Sequence, residues 1–238
     1  GFDWGPGKYE RGNHLDFYLA WGGKHLKHIK FPKIFKMPNP YLYDIEAKYK
    51  KRRKFNKKIN IQFTPIALSS LYVTELWDGF VPSDMKVHRK WVSDIFRKYD
   101  ESCKNLDITI FIKVKGFGYT LFSDYPWMLI QDFSFNRIKK KYLIEGTAVS
   151  YLSNMDLHVF DSPATTFVES IVYNAPSICL WNPNNYFVKK EYAELYKLLN
   201  SVGIICTNQK EFIFHANNYL DNIDYWFSDE IQDIRKEF

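Results

Sequence analysis

The sequence predicts an α/β protein with a parallel sheet and flanking helices, and the alternation of two patterns carries this prediction. From residue 59 onward, short runs rich in β-branched residues alternate with segments in which apolar residues recur at helical spacing. Such alternation is typical of βαβ units, in which a helix returns the chain to the next parallel strand. Six strands of this kind indicate a Rossmann-like sheet. The predicted strands are 59–64, 108–114, 142–144, 157–160, 177–181 and 202–206.

Helices are predicted between these strands. The clearest is 83–102, because Ser83 suits the N-cap and Val92, Ile95, Phe96 and Tyr99 follow at helical spacing. The other predicted helices are 124–140, 147–154, 163–173, 189–201, 208–220 and 228–238.

The first 45 residues follow a different pattern. They are rich in glycine, proline and aromatic residues, with short strand-like runs at 17–20 and 33–36. Met37-Pro38-Asn39-Pro40 then interrupts regular structure. Because the chain begins Gly-Phe-Asp-Trp rather than with Met, we expect this part to be the end of a domain whose earlier residues are absent.

The positive charge is concentrated in one run. Of 33 basic residues, eight lie within 48–58, and the remaining 25 are matched by 27 acidic residues. A nucleic-acid-binding domain should be basic over a whole face, and aromatic residues for base stacking interleave poorly with this run. We therefore predict no nucleic-acid partner. The run is either a solvated linker or a contact to anionic lipid, to which each Lys or Arg adds about 1 kcal/mol.

The spacing of the cysteine, histidine and apolar residues excludes several other classes of protein. The three cysteines are widely spaced without a CxxC pair, and none of the six histidines forms a metal-spaced pair on a predicted helix. We predict no metal site, no disulfide framework and a cytoplasmic location. No apolar run reaches the roughly 18 to 20 residues of a membrane helix.

Candidate binding residues follow from the parallel sheet, whose ligands bind beyond the carboxyl ends of the strands. In the segment 160–183, hydroxyl-bearing Ser162, Thr165 and Thr166 stand at a helix start, where free amides favour an anion. Glu169 follows on the same helix, and a carboxylate there can accept both hydroxyl protons of a ribose diol. The alternatives are simple helix capping for the hydroxyls and a solvated helix-surface carboxylate.

Two further pairs lie at other strand ends. Lys113 and Lys115 alternate with apolar residues and are candidates for phosphate binding, or else lie on a partly exposed edge. Trp181 and Asn182 are candidates for contact with a base or sugar, or else form a rigid turn with Pro183.

The hydroxyl-rich helix start, the Glu and the following Asn174-Ala175-Pro176 resemble the donor-nucleotide half of GT-B glycosyltransferases. Six residues separate Glu169 from Pro176, a spacing similar to that in the lipid-linked N-acetylglucosaminyl transferase of peptidoglycan synthesis. The resemblance implies that the helix start faces the phosphates of a sugar nucleotide and that Glu169 takes the ribose hydroxyls.

A closer resemblance covers most of the chain. It is carried by the motifs WGG (21–23), PNP (38–40), TTFVE (165–169), LWNP (180–183) and IDYWF (223–227). Together they resemble bacterial surface carbohydrate biosynthesis transferases of the LIC12162 type, which are GT-B-like. In that family the second strand ends in an Arg and a Tyr-Pro-His turn, whereas this chain has Lys113 and then Val-Lys-Gly-Phe.

The resemblance implies a division of the chain. Residues 1–45 would be the remnant of an N-terminal acceptor domain, and 46–58 a basic linker. Residues 59–227 would be the nucleotide-sugar-binding domain, and the helix 228–238 would pack back on the first domain.

The function it implies is that of a metal-independent glycosyltransferase of bacterial cell-surface polysaccharide biosynthesis. A nucleotide-sugar donor serves as substrate without a further cofactor, and the acceptor is a glycan or lipid-linked glycan, with peripheral contact to the inner face of the membrane through 48–58. His25, next to Trp21-Gly22-Gly23, is the candidate base. The alternatives are a glycerophosphate or polyol-phosphate transferase, a sugar-nucleotide epimerase, and a non-catalytic nucleotide-binding scaffold.

Overall fold

The computed structural model describes residues 18–21, 34–37, 58–65, 82–103, 107–113, 135–143, 145–163, 165–184, 188 and 190–237. The chain divides into two units, Gly1–Ala47 and Lys48–Phe238. In the first unit, strands β1 (Tyr18–Trp21) and β2 (Ile34–Met37) pair in parallel. The finer domain division proposed from the sequence stays a prediction.

The second unit is built on a six-stranded parallel sheet, as the sequence predicts. Its strands are β3 (Lys58–Thr64), β4 (Asp107–Lys113), β5 (Lys139–Leu143), β6 (Leu157–Phe160), β7 (Ser177–Leu180) and β8 (Ile205–Cys206). Their order across the sheet is β5-β4-β3-β6-β7-β8. The chain therefore winds outward twice from the centre, first through β4 and β5 and then through β6, β7 and β8. This is the order of a doubly wound sheet, and β3 and β6 flank its switch point.

The central strands are buried because both faces of the sheet are covered. All four residues of β6 and all four of β7 are buried, and β3 reads as a nearly continuous buried run. Because parallel strands in the middle of a sheet are covered on both faces, the polar residues within them, such as Gln62 and His158, are buried as well.

Six α-helices are described around this sheet, and the two longest pack together through aromatic rings. Phe212 lies 5.5 Å from Phe96 and 5.4 Å from Tyr99, measured between ring centroids. Phe96 also contacts Phe63 of β3 at 4.9 Å, so this pair of helices closes one side of the core. The helices are α1 (Pro82–Ser102), α2 (Thr165–Tyr173), α3 (Ala193–Ser201), α4 (Gln209–Asp221), α5 (Ile223–Trp226) and α6 (Asp229–Glu237).

The predicted helix 124–140 is wrong at its end, because Lys139 and Lys140 belong to β5. Lysine favours helices, but here pairing with β4 overrides that preference, with Thr109 opposite Lys139 and Lys113 opposite Leu143. Residues 124–134 lie outside the described part of the chain.

Other predicted elements differ in extent. The predicted helix 147–154 is a single 3-10 turn, Val149–Tyr151, and a 3-10 turn at Lys190–Tyr192 precedes α3. The predicted strand 202–206 starts only at Ile205, because Gly203 turns the backbone at a φ of +80°. The short helix α5 was not predicted.

Candidate functional site

The described site lies at the carboxyl edge of the sheet, at the switch point. Thr64, the last residue of β3, is paired with Phe160, the last residue of β6. In doubly wound sheets, ligands bind in the crevice at this point. Helix α2 begins at Thr165, close after β6.

The hydroxyls proposed from the sequence stand at this helix start. Ser162 is buried, Thr166 is half-buried and Thr165 is exposed. The first turn of the nine-residue α2 contains no acidic residue, so the positive end of its dipole is not neutralised by its own side chains. The arrangement suits an anion, although one hydroxyl would be enough for capping.

Glu169 lies one turn further along α2 and is only 8% exposed. The alternative that Glu169 is a solvated carboxylate on the helix surface is therefore wrong. A carboxylate is expensive to bury without compensating contacts.

Lys113 is the last residue of β4 and is buried, so the alternative of a partly exposed edge is wrong for this side chain. Its Nζ donates a hydrogen bond of 3.2 Å to the carbonyl of Leu143 in the neighbouring strand. Burial lowers the pKa of Lys113 from its ordinary value. Lys115 and His25, the other basic candidates, lie outside the described residues.

Trp181 and Asn182 follow β7. The indole of Trp181 is half-buried and packs edge-on against Tyr196, with ring centroids 5.2 Å apart. Asn182 is buried, and its Oδ1 accepts a hydrogen bond of 3.0 Å from the backbone amide of Asn184, as in an Asx turn. This contact matches the rigid-turn alternative for Asn182; its contact to base or sugar stays a prediction.

Sequence reasoning missed a buried polar pair at the same edge. His88 of α1 is fully buried, and its Nε2 lies 3.5 Å from Oδ2 of Asp161, the residue that follows β6. The signal was present in the spacing, because His88 occupies the same helix face as Val92, Ile95 and Tyr99. A histidine within an apolar stripe predicts burial, and burial requires a partner.

Gln62 was missed as well. It is fully buried in β3, and its Nε2 donates hydrogen bonds to Thr64 Oγ1 at 3.1 Å and to the carbonyl of Ala148 at 3.3 Å. The amide thus ties the loop before β6 to the end of β3. An amide within a predicted central strand was the available signal.

The last strand end is occupied by a capping network. Asn208 accepts hydrogen bonds from the backbone amides of Lys210 and Glu211, while Glu211 accepts from the amide of Thr207 at 2.7 Å. Burial raises the pKa of Glu211, but hydrogen bonds from Thr207, Asn200 and Asn208 outweigh it and lower the pKa overall. The carboxylate serves the start of α4.

The described residues contain neither a metal-binding cluster nor a membrane-spanning helix. Among the residues whose positions are described, no three or more His, Cys, Asp or Glu side chains come together as a metal site. Within the same parts of the chain, no helix combines the length and apolar character needed to cross a bilayer.

Comparisons with known proteins identify the family and the fold. The model of the LIC12162 family transferases matches residues 9–238. No curated protein sequence matches the chain. The structure is similar to that of an S. aureus TarM mutant in complex with fondaparinux, alpha-GlcNAc-glycerol and UDP, with a TM-score of 0.51 and 10% identity. That match covers 95% of this chain and 41% of TarM, so the chain spans about two fifths of TarM's length.

Two further structures are less similar. A second TarM structure has a TM-score of 0.46 at 10% identity, covering 96% of this chain and 40% of that one. The GtfA/B complex has a TM-score of 0.39 at 12% identity, and the match covers 95% of this chain and 47% of that one. The predicted fold class, a Rossmann-like parallel sheet of the GT-B type, is confirmed.

Proposed function

Because the chain belongs to the LIC12162 family of transferases, we propose that its second unit binds the nucleotide-sugar donor of a glycosyltransferase. One observation carries the proposal. At the switch point of the sheet, a helix start with the hydroxyls of Ser162, Thr165 and Thr166 is followed within one turn by the buried carboxylate of Glu169.

Each part of this arrangement suits one part of a sugar nucleotide. The amides and hydroxyls at the start of α2 would take the phosphate charge. Glu169, one turn deeper, would accept hydrogen bonds from the vicinal ribose hydroxyls. TarM, which shares the fold, has been solved with UDP bound, and this supports a nucleotide as the ligand class.

The proposed chemistry is transfer of the sugar to a glycan acceptor. As the bond between sugar and phosphate breaks, negative charge grows on the departing nucleotide. The helix dipole of α2 and the ammonium of Lys113 would stabilise that charge without a metal. Since the chain spans about two fifths of TarM, the acceptor-binding part is proposed to lie largely outside it.

The wider setting is also proposed. The acceptor is a glycan or a lipid-linked glycan of the bacterial surface, and the protein works in the cytoplasm. The basic run 48–58 would hold it at an anionic membrane face. Nucleotide binding without transfer in the complete protein would instead indicate a scaffold.

The first experiment is a thermal-shift panel with CMP, CDP, UDP, GDP and ADP on this chain. A nucleotide at about 100 times its dissociation constant adds roughly 2.7 kcal/mol of stability. We expect a selective rise in Tm with one base. No shift with any of the five would contradict a donor site in this chain.

Variants then test the assigned residues by calorimetric titration. Glu169→Gln keeps the shape of the side chain and should weaken nucleotide affinity by roughly 10- to 100-fold, because hydrogen bonds to a charged acceptor contribute about 1.5–3 kcal/mol. The matched control is Glu101→Gln, at the far end of α1, where the carboxylate is exposed and paired with Lys98. Equal affinities of the two variants would remove Glu169 from the site.

A further inference from the structure

Gln62 connects the end of β3 to the segment that crosses from β5 to β6, whose residues 145–151 we call the crossover loop. The side chain of Gln62 is fully buried, and its Nε2 donates hydrogen bonds to Thr64 Oγ1 at 3.1 Å and to the carbonyl of Ala148 at 3.3 Å. Because a carbonyl can only accept, the amide nitrogen rather than the oxygen must face Ala148. Gln62 therefore ties the loop to a strand end at the switch point.

The crossover loop and α2 lie on the same face of the sheet. Thr64 of β3 pairs in parallel with Phe160 of β6, so these two side chains share a face, and Gln62 shares it because side chains alternate along a strand. At β6 this face is covered by α2, since the rings of Phe160 and Phe167 lie 5.7 Å apart. At β3 it is covered by the loop at Ala148. The loop and α2 therefore stand on the two sides of the switch point.

The two ends of the crossover loop differ in exposure. Its 3-10 turn packs against α2, and Leu152, directly after the loop, is fully buried together with Ala175, which lies just beyond the helix. Residues 145–147 are exposed, and they follow β5 at the carboxyl edge of the sheet. The start of α2 lies at the same edge, where doubly wound sheets bind their ligands. The part of the loop that a ligand can reach is therefore 145–147.

Hydrogen bonds within the crossover loop give it a defined shape. Ser150 Oγ donates to the carbonyl of Thr147 at 2.6 Å, and the hydroxyl of Tyr151 donates to the carbonyl of Glu145 at 2.9 Å. Gly146 turns the backbone between them with a φ of +66°. The position of this loop over the end of β3 is set by the bond that Ala148 accepts from the buried amide.

We propose that the crossover loop is the wall of the nucleotide site that faces the base, and that Gln62 is the positioning residue that holds it there. This inference rests on the proposed function. With the phosphates at the start of α2 and the ribose on Glu169, the base is left to lie against residues 145–147. Gln62 does not touch the nucleotide and acts through Ala148.

Calorimetric titration with CDP, UDP, GDP and ADP tests this role. The readout is selectivity, the Kd of each weaker nucleotide divided by the Kd of the tightest one. Gln62→Met keeps the length of the side chain but cannot donate to Ala148, so selectivity should fall by roughly 3- to 10-fold, as expected for the loss of one hydrogen bond. A purely structural residue would lower Tm and leave selectivity unchanged, because all four nucleotides would lose affinity alike.

Two further variants complete the test. Thr109→Val is the matched control, since Thr109 is buried in the neighbouring strand and its Oγ1 has no hydrogen-bond partner among the described residues. It should leave selectivity unchanged. Gly146→Ala displaces the loop from its exposed side, because a Cβ there would lie 2.8 Å from Ser150 Oγ at a left-handed φ. This variant decides if Gln62→Met does not fold, and its selectivity should fall as well.

The outcomes separate this inference from the proposed function. Unchanged selectivity in Gln62→Met, or in Gly146→Ala where that variant decides, overturns the inference and leaves nucleotide binding intact. An equal loss in Thr109→Val also overturns it, and so does a wild-type chain that binds all four nucleotides with the same affinity. If the wild-type chain binds none of them, the proposed function fails together with the inference.

Discussion

The indole Nε1 of Trp226 donates hydrogen bonds to two oxygens of Asn174, its backbone carbonyl at 3.1 Å and its side-chain Oδ1 at 3.0 Å. Gln232 of α6 joins the same amide, since its Nε2 donates to Oδ1 and its Oε1 accepts from Nδ2 of Asn174. Asn174-Ala175-Pro176, which belongs to the GT-B resemblance, and the IDYWF run, which belongs to the family resemblance, therefore meet in one network. Its physical role is to close the end of α2 and dock α5 and α6 on it.

Asn174 stabilises this network and also adopts a left-handed backbone, with a φ of 64°. Asn174→Gly should lose the side-chain hydrogen bonds but accept the backbone angle. Asn174→Ala should lose the same hydrogen bonds and also strain the left-handed backbone. It should therefore be less stable than the glycine variant by roughly 1 kcal/mol. Urea denaturation of the two variants measures the difference. Equal stabilities would mean that the backbone angle changes in the variants.

Position 203 requires a glycine because the ring of His215 lies against it. A Cβ on Gly203 would lie 2.0 Å from His215 Cγ, and the residue has a φ of +80°. Gly203→Ala should therefore destabilise the protein by roughly 2–4 kcal/mol, from overpacking and backbone strain together. In the His215→Ala background the clash is absent, so the same change should cost only the backbone strain, about 1–2 kcal/mol. Stability is measured by thermal or urea denaturation. If Gly203→Ala costs the same free energy of unfolding in both backgrounds, a direct contact is contradicted.

The pKa of His215 predicts a loss of stability in mild acid. Burial lowers this pKa, and the charge of Glu211 opposes the shift only in part. The unfolded chain therefore binds a proton at higher pH than the folded one, and stability falls as the pH drops below 6.5. His215→Gln should remove this part of the pH dependence.

The measurement is the free energy of unfolding between pH 5 and 8, with the two proteins compared at each pH. Glu211 does not interfere, because its pKa is lowered from an ordinary value of 4.5 and it titrates below this range. Parallel curves for wild type and variant would show that His215 does not titrate differently on folding.

Asp100 should determine the start of β5. Its carboxylate is buried and accepts hydrogen bonds from the backbone amides of Asn136 at 2.8 Å, Arg137 at 3.0 Å and Ile138 at 2.8 Å. Asp100→Asn replaces an acceptor with a donor that faces an amide, which should cost about 2–3 kcal/mol. The control Asp94→Asn breaks an exposed pair with Arg97 and should cost less than about 1 kcal/mol. Urea denaturation distinguishes them, and similar small losses would contradict the role of Asp100.

Local patterns were sufficient for most of the second unit. The apolar stripe of α1 and the concentration of apolar residues in β6 and β7 are visible in the sequence because burial on one face or on both leaves a local signature. The helix predicted to end at residue 140 was wrong at 139–140 because no local pattern marks the strand there. Three consecutive lysines have no strand signature, and their conformation is decided by β4, about 30 residues earlier.

The residues of the candidate site also differ in how far the sequence predicts them. Ser162, Thr165, Thr166 and Glu169 could be proposed from the sequence because they lie close together in the chain, just before and on α2. His88 and Asp161 could not be paired, since 72 residues and several elements separate them in the chain.

The sequence by itself determined the α/β class, the number of strands in the parallel sheet and the helix start that is proposed to bind a nucleotide, because each depends on residues close together in the chain. Only the tertiary structure decided which side chains are buried at the switch point and what they face. Whether Glu169 is solvated, whether Lys113 is exposed and whether His88 has an acidic neighbour depend on the order of strands across the sheet. That order arises from packing between distant segments, which leaves no local pattern.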